Sequence, residues 1–415
     1  MTSFEAREKR IAAAVARKEP DRVPLIPHSY LFATAHAGYT VADITYDADK
    51  GIDAIVRFVK EFEPDDATRY YSNMGKGPIL ELMAPKTAVW PGAPDKRVDK
   101  DSMHQFIEFA VLEDEEIEYF SKDFTGWLLQ KGMPKVSRLL EPFATFNTSS
   151  MTVNSDVSQI AAFFSRPDTR QMMETLWKIN DLNKALNEKI TRSREVLKDL
   201  GFPSVTGSGG GGGVPFDGYS NFFRGTLDAM ADMYDNRKLI EEYCDTRLQI
   251  SLENIRRQGK TSPGKWVSMM LHKGMDGFMN DEQYTNLYWK YLKQMIEEIV
   301  KSGMVAYVFT EGPYNSRLDH LAEIEVNENV IYHFEEVDMA EAKRKLGSVA
   351  CISGGFPVYL LHHGTKQQVI DECKRLIDIC APGGGYIFET GSVFGKAPVE
   401  NVEAMFETVK EYGKY

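Results

Sequence analysis

The sequence predicts an α/β fold built on a parallel sheet, and its C-terminal part carries the observations that predict it. From Trp266 onward, short apolar runs alternate with amphipathic helices, a spacing typical of parallel strands joined by helical crossovers. Four of these runs end in a residue that can bind a metal or move a proton, namely Glu311, His333, Cys351 and Glu389. If the runs are neighbouring strands of one closed barrel, all four side chains emerge at the same rim, where such barrels keep their chemistry.

Length and composition fit a globular protein that can bury a large core. The chain has 415 residues, of which 43% are hydrophobic and 27% charged. A formal net charge of −12, without interleaved basic and aromatic residues, argues against nucleic acid and favours a small molecule or another protein as partner. The charged N-terminus lacks a signal-peptide core and no run of about 18 apolar residues follows, so we expect a cytoplasmic protein without membrane spans.

The N-terminal part is predicted to be helical with irregular stretches. Residues 4–17 are predicted to form the first helix. The segment Pro20-Asp-Arg-Val-Pro24 ends this helix, and a short apolar run at 23–26 is the first strand candidate. The pattern then gives a helix near 50–61 and a hairpin through 78–90. We predict that 43–150 is an elaboration covering one barrel domain that spans 1–415.

Helical periodicity covers 157–200 and is broken at Arg166-Pro167. A strand candidate near 202–206 leads into the glycine run Gly209 to Gly213, and further helices cover about 221–259. Thereafter strands and helices alternate. The predicted strands are 266–271, 304–311, 330–334, 348–353 and 385–390, and the predicted helices are 281–302, 316–323, 338–346, 365–380 and 398–411.

Local signals support the last two helices. Thr365 and Gln368 have the spacing of a capping box, and Pro398 suits the first turn of a helix. Cys373 and Cys380 fall on the apolar face of helix 365–380, so we predict that they belong to the core. The four cysteines do not have the pattern of a secreted disulfide framework.

Several segments resemble the uroporphyrinogen decarboxylase superfamily. They are Leu361-His-His-Gly-Thr365, Ala381-Pro-Gly-Gly-Gly-Tyr-Ile-Phe, Pro398-x-Glu-Asn401-Val, Gly274-Met-Asp-Gly-Phe-Met279 and Lys18-Glu-Pro-Asp-Arg-Val-Pro24. The resemblance is strong over about 265–412 and patchy before that. It implies a (β/α)8 barrel of the TIM type, here with N-terminal helical and irregular additions, and two different chemistries.

One branch of the superfamily, the porphyrinogen decarboxylases, carries an Arg-rich segment after the first strand that holds substrate carboxylates. The corresponding segment here, 26–36, contains no arginine, which disfavours decarboxylation of an acidic tetrapyrrole. The other branch contains zinc-containing, corrinoid-dependent methyltransferases, which exchange a methyl group with a separate cobalamin-binding protein. Its thiol-methylating members use His-x-Cys and a late Cys as ligands, where this chain has Phe309-x-Glu311 and Gly391-Ser392. The resemblance therefore favours members that demethylate methyl ethers, especially aryl methyl ethers.

Within that branch, we predict Glu311, His333 and Cys351 as the three protein ligands of a catalytic Zn²⁺, with a fourth position left open. Each alone is more often a cap, a backbone-bonded ring or a core residue, and only the set on three successive strands favours a metal. Other candidates occur near predicted strand ends and the glycine run. Glu389 and Asp276 are candidate acids or bases, and the candidate substrate-binding residues are His272, Phe309, Tyr314 and Tyr219.

These features predict a zinc-dependent methyltransferase that demethylates a methyl ether, with a methoxylated aromatic as the expected substrate. The methyl group passes to the Co(I) corrinoid of a partner protein, and a homodimer is possible. One alternative runs in reverse, from methylcobalamin to a thiol or pterin. Another is a uroporphyrinogen decarboxylase-like barrel without metal chemistry that docks a corrinoid protein.

Overall fold

A parallel sheet of six strands lies at the centre of the protein, in a computed structural model that describes residues 2–67, 70–147, 157–206, 211–326 and 328–415. Its strands follow one another in chain order. A separate antiparallel pair consists of β1 (Ala88–Val89) and β2 (Gln105–Phe106). The strands of the sheet are β3 (Gly211–Gly212), β4 (Trp266–Leu271), β5 (Val305–Pro313), β6 (Val330–Glu336), β7 (Cys351–Gly354) and β8 (Tyr386–Ile387).

Extended segments from the N-terminal part continue this sheet beyond β8. Leu25 forms a parallel bridge with Phe388, and the Asp65 N–H donates to the Leu25 carbonyl at 2.9 Å. The Ala67 N–H in turn donates to the Pro203 carbonyl at 2.7 Å. Segments 23–26 and 65–67 thus stand in the places of the first two barrel strands, and 203–206 together with β3 takes the third place, beside β4. The fold is the predicted (β/α)8 barrel with N-terminal additions.

Helices surround the sheet. They are α1 (Ser3–Val15), α2 (Tyr30–His36), α3 (Val41–Tyr46), α4 (Ala48–Phe62), α5 (Gly77–Met83), α6 (Ile117–Lys122), α7 (Phe124–Trp127), α8 (Met133–Val136), α9 (Ser158–Ser165), α10 (Pro167–Asp199), α11 (Pro215–Tyr219), α12 (Gly225–Asp235), α13 (Arg237–Gly259), α14 (Asp281–Gln283), α15 (Lys290–Lys301), α16 (Leu318–Leu321), α17 (Met339–Leu346), α18 (Tyr359–His363), α19 (Lys366–Cys380) and α20 (Val399–Tyr412). Short π-helical turns at 128–132, 220–224 and 284–289 join α7 to α8, α11 to α12 and α14 to α15. None of the described helices is both long and apolar enough to cross a membrane.

Most predicted elements from 157 onward are confirmed to within a few residues, and the break before Pro167 separates α9 from α10. The capping box of α19 is present, with the Gln368 N–H donating to Thr365 Oγ1 at 3.2 Å and the Thr365 N–H donating to Gln368 Oε1 at 2.8 Å. The predicted hairpin through 78–90 is wrong. Pro78 opens the helix α5 there, and β1 pairs with the distant β2 instead. Gly209 and Gly210 of the glycine run, with 148–150, lie outside the described residues.

Apolar side chains form three clusters. The largest lies between the sheet and its surrounding helices and includes Cys373 and Cys380, as predicted. A second cluster combines alternate residues of β4 to β8, among them Trp266 and Cys351, with Ile11, Ala14 and Val15 of α1. Because strand residues alternate between two faces, this second cluster is the filled interior of the barrel, with α1 packed against it. The third joins α3, α4 and α5 to α10.

Candidate metal centre

Three titratable side chains converge inside the barrel: His28, His333 and Glu389. One ligand atom from each lies within 4.8 Å of those of the other two, and among the described residues this is the one such group of three His, Cys, Asp or Glu side chains. Glu389 Oε2 is 2.6 Å from His333 Nδ1 and 3.1 Å from His28 Nε2. His28 is 5% exposed, and the other two side chains are fully buried.

The barrel topology brings these residues together from distant parts of the chain. His28 follows the first barrel segment, His333 lies in the middle of β6, and Glu389 comes two residues after β8. His333 pairs in register with Phe309 on one side and Ser353 on the other. Its ring stacks on Phe309 at a centroid distance of 4.3 Å and on His28 at 4.8 Å, and the His28 and Phe309 rings lie 5.4 Å apart, so the three rings form one compact cluster. The aromatic packing fixes both imidazoles in place.

Hydrogen bonds are distributed unevenly over the Glu389 carboxylate. Tyr307 donates its hydroxyl hydrogen to Oε2 at 2.5 Å, the same oxygen that both histidines approach. Oε1 is buried and has no hydrogen-bond partner among the described residues. A buried carboxylate oxygen without a donor is costly, and a bound cation would satisfy it.

The second nitrogen of His333 constrains its protonation. Nε2 lies 3.0 Å from the Gly391 carbonyl oxygen, which only accepts, so Nε2 carries a hydrogen. Nδ1 then faces the Glu389 carboxylate at 2.6 Å with either a second proton or a lone pair. The Ser353 hydroxyl oxygen also lies 3.1 Å from Nδ1, so this nitrogen faces both a hydroxyl group and the carboxylate.

Electrostatics keep Glu389 ionised. Burial alone would raise the pKa of this carboxyl, but the charges and hydrogen bonds of His333 and His28 outweigh burial and hold its pKa below the ordinary range. An ionised carboxylate with two imidazoles is a donor set that zinc enzymes use. Donor atoms of a tetrahedral zinc site lie about 3.3 Å apart, given bonds of about 2.0 Å. The His28 to Glu389 distance is close to that value, and the His333 to Glu389 distance needs a small expansion, so the three residues fit such an ion.

The predicted ligand set Glu311, His333 and Cys351 does not come together in the structure. Only His333 belongs to the group of three. Glu311 lies where β5 loses its regular register, beyond Thr310, and pairs with His272. Cys351 begins β7 rather than ending it, so it lies beside Ile331 in the apolar interior, and Ser353 stands at the level of His333. Burial raises the pKa of the Cys351 thiol, which disfavours the thiolate that a metal needs.

The other candidate residues divide between the site and its surroundings. Glu389 is at the centre, and Phe309 stacks on His333. The Asp276 carboxylate instead accepts hydrogen bonds from the Ser316 N–H and hydroxyl. Tyr314 and Tyr219 are fully buried outside this group; Tyr219 donates to Asp232 at 2.6 Å and Tyr314 packs within the outer core. His272 lies at the end of β4, against Glu311.

His28 and Tyr307 were not among the residues predicted from sequence. Both come from inward positions, one on an extended segment without a regular strand and one in the middle of β5. The available signal was alternation, since Tyr307, Phe309 and Glu311 occupy every second position of one strand. His28 follows the apolar run 23–26 much as His333 lies in its own apolar run.

Comparison with known proteins gives a family and a fold. The family model described as uroporphyrinogen decarboxylase (URO-D) matches residues 150–412, which include His333 and Glu389 but not His28. No curated protein matches the sequence. Among solved structures, a methyltransferase from Methanosarcina mazei superposes with a TM-score of 0.60 and 12% identity, over 99% of this chain and 99% of that chain. At that identity the likeness shows a shared fold.

Proposed function

Because the chain belongs to the uroporphyrinogen decarboxylase family, we propose that it works as the methyltransferase branch of that superfamily does. In this proposal it demethylates a methyl ether, with a methoxylated aromatic as the substrate class, and passes the methyl group to the Co(I) corrinoid of a partner protein. The observation that carries the proposal is the buried group of His28, His333 and Glu389 inside the barrel. The fold shared with a methyltransferase supports it.

The same group argues against the other known chemistry of the superfamily. A decarboxylase of acidic tetrapyrroles needs cationic groups for the substrate carboxylates, and the segment 26–36 contains no arginine. Glu389 would add a negative charge at the centre of the barrel, since its pKa is held below the ordinary range. Like charges in a buried site repel strongly. An uncharged ether suits this interior better than a polycarboxylate.

In the proposed reaction the methyl carbon leaves the ether oxygen, which keeps the bonding electron pair and takes up a proton. The carbon bonds to the Co(I) acceptor, whose own electron pair forms the new bond. Zn²⁺ held by His28, His333 and Glu389 would act as a Lewis acid on the oxygen where negative charge develops.

The chain's own residues prepare this site. Tyr307 holds the Glu389 carboxylate in place by donating its hydroxyl hydrogen to Oε2, the oxygen that both histidines approach. The Gly391 carbonyl fixes the orientation of the His333 ring, so that Nδ1 faces the carboxylate. Such outer contacts orient metal ligands and raise their basicity. Phe309, which packs against both imidazoles, is the apolar side chain that we assign to the aromatic ring of the substrate.

Metal content is the first test. We expect the purified protein to bind one Zn²⁺ per chain, and expect Glu389→Gln, His333→Ala and His28→Ala each to lower the zinc content at least about tenfold. Cys351→Ala and Glu311→Gln are the matched controls, because both were candidate ligands by sequence and neither belongs to the group of three. Mass spectrometry of the metal after dialysis gives the answer. Unchanged zinc in the Glu389 and His333 variants would contradict the proposed site.

Methyl transfer is the second test. Zinc-loaded protein mixed with Co(I) cobalamin and a panel of methoxybenzenes should form methylcobalamin, followed by its absorbance, together with one phenol per methyl group. The Glu389→Gln variant should lose this activity. If methylcobalamin instead methylates thiols or pterins and no methoxybenzene reacts, the transfer runs in the opposite direction. If neither reaction occurs in the presence of zinc, the proposal is wrong.

A further inference from the structure

A second polar pair lies at the C-terminal ends of two neighbouring strands. His272 directly follows β4 and Glu311 lies near the end of β5. His272 Nδ1 is 3.0 Å from Glu311 Oε2, and the two side chains are 41% and 39% exposed. The pair is thus reachable from solvent, in contrast to the buried group of His28, His333 and Glu389. None of the described residues hydrogen-bonds the other ring nitrogen of His272, Nε2.

The pairing of β4 with β5 places this pair just beyond Phe309, which contacts the buried group: Met270 pairs with Phe309 and Leu271 with Thr310, and His272 and Glu311 are the next residues along each chain segment. Tyr307, Phe309 and Glu311 occupy every second position of β5, and Tyr307 and Phe309 both contact residues of that group. His272 follows Trp266 by an even number of positions on β4, and Trp266 belongs to the barrel interior. Two residues of a strand advance by about 6.6 Å. The pair therefore lies one layer above Phe309, toward the mouth of the barrel.

Neighbouring charges favour the protonated form of His272. The hydrogen bond to Glu311 is the largest influence and raises the pKa of the imidazole, and partial burial opposes it. The carboxylates of Glu311 and Asp217 raise the pKa further, and the adjacent Lys273 lowers it. The net shift is upward. A larger fraction of His272 is protonated near neutral pH than for an isolated histidine.

A buried carboxylate holds the backbone beneath this pair. Asp217 accepts the His272 N–H at 3.1 Å, the Lys273 N–H at 2.9 Å and the Tyr288 hydroxyl hydrogen at 2.7 Å. Lys273 is tied by its Nζ to Thr226 Oγ1 at 2.8 Å. The end of β4 is thereby fixed from behind, and His272 keeps one position relative to Glu311. Such support is what a catalytic side chain at a strand end requires.

We propose that His272, hydrogen-bonded to Glu311, is the acid that protonates the oxygen left behind when the methyl group departs. This inference rests on the proposed function. As the C–O bond breaks and its electron pair stays on oxygen, the Nε2 hydrogen moves to that oxygen, and neutral His272 then regains a proton from solvent at its exposed side. His272 is the catalytic residue and Glu311 is a positioning residue.

The test uses two anisoles of similar size whose products differ in acidity. Phenolate from 4-nitroanisole is a good leaving group, whereas phenolate from 4-methylanisole needs a proton. His272→Gln keeps a polar side chain but cannot act as an acid, so its rate should fall about 100-fold with 4-methylanisole and less than about threefold with 4-nitroanisole. His320→Gln is the matched control, because His320 pairs with Asp281 at 2.9 Å away from this face, and both of its rates should match wild type.

Two readouts do not depend on turnover with these substrates. Zinc content of His272→Gln should equal that of wild type, and NMR titration of the His272 ring should show a raised pKa that falls in Glu311→Gln. Since the acid must be protonated, activity is lost as pH rises through that pKa, and Glu311→Gln should move this loss to lower pH. If the wild-type protein transfers the methyl group and the His272→Gln variant loses the same fraction of its rate with both anisoles, only this inference is overturned. Absence of transfer in wild type overturns the proposed function and this inference together.

Discussion

At the scale of the residue, burial decides which side chains can take part in chemistry. Glu389 is fully buried yet stays ionised, because two imidazoles and a phenol hydroxyl surround one of its oxygens. Cys351 is equally buried but has apolar neighbours, and burial raises the pKa of its thiol. The two side chains lie on adjacent parts of the same barrel interior. Glu389 is deprotonated because hydrogen-bond donors face its carboxylate, whereas Cys351 keeps its proton because its neighbours are apolar.

Thiol reactivity is the prediction at this scale. All four cysteines are unpaired and buried, and burial is the main cause that raises the thiol pKa of each. Since the thiolate is the nucleophile, none should react with Ellman's reagent at pH 8 within minutes in the folded protein, and all four should react after guanidinium is added. Rapid labelling of Cys351 before unfolding would contradict its placement in the interior.

Sequence reasoning named His333 as a ligand and Glu389 as an acid or base, but it grouped His333 with Glu311 and Cys351, which lie apart from the buried group of three for a physical reason. A polar residue that ends an apolar run reaches the rim only if the run ends where the strand does. Cys351 begins β7, and Glu311 lies past a register shift, so neither reaches the level of His333. His28 has no strand pattern around it, because its segment joins the sheet through a single bridge at Leu25.

At the scale of the element, helix ends were predictable and the N-terminal elaboration was not. The capping box at Thr365 is a local arrangement of four residues, which the sequence contains in full. The segment 78–90 is apolar enough for either a strand or a helix, and periodicity cannot separate the two over so short a run. Packing decided it: Ile79 of α5 contributes to the cluster that includes Ile179 and Leu186 of α10.

The cap of α19 gives a prediction at this scale. Thr365→Ala removes the acceptor for the Gln368 N–H at the start of the helix and should lower the free energy of unfolding by about 1 kcal/mol. Thr246→Ala is the control, because Thr246 lies inside α13, is exposed, and only donates to the Glu242 carbonyl. Alanine is favourable there, so the control should be neutral or slightly stabilising. Equal unfolding midpoints in guanidinium for the two variants would show that the cap contributes nothing.

At the scale of the whole molecule, closure of the barrel depends on contacts between the two ends of the chain. The turn before β8 packs directly on the segment that follows α1. Gly384 has a φ of +77°, and a Cβ at this position would lie 2.4 Å from the Lys18 carbonyl carbon. Its neighbour Gly383 has a similar φ of +78°, with nothing within 4 Å of such a Cβ. The two glycines therefore differ only in what surrounds them.

The comparison of Gly383 with Gly384 gives a prediction about closure of the barrel. Gly383→Ala should cost about 1 kcal/mol for the left-handed backbone alone. Gly384→Ala carries the same backbone cost and a further 1–3 kcal/mol or so, because the Lys18 backbone must move away. Thermal unfolding of both variants measures the difference. Equal melting temperatures would mean that the contact between the turn and Lys18 is not part of barrel closure.

The sequence separation of the metal centre has a consequence for how the protein is made. His28 and Glu389 touch across 361 positions of the chain. During synthesis the ribosome must therefore add 361 residues after His28 before Glu389 exists, and no shorter nascent fragment contains all three side chains of the group. Binding of the proposed Zn²⁺ would hold the segment around His28 against the segment around Glu389, so that metal binding and closure of the barrel would be thermodynamically coupled.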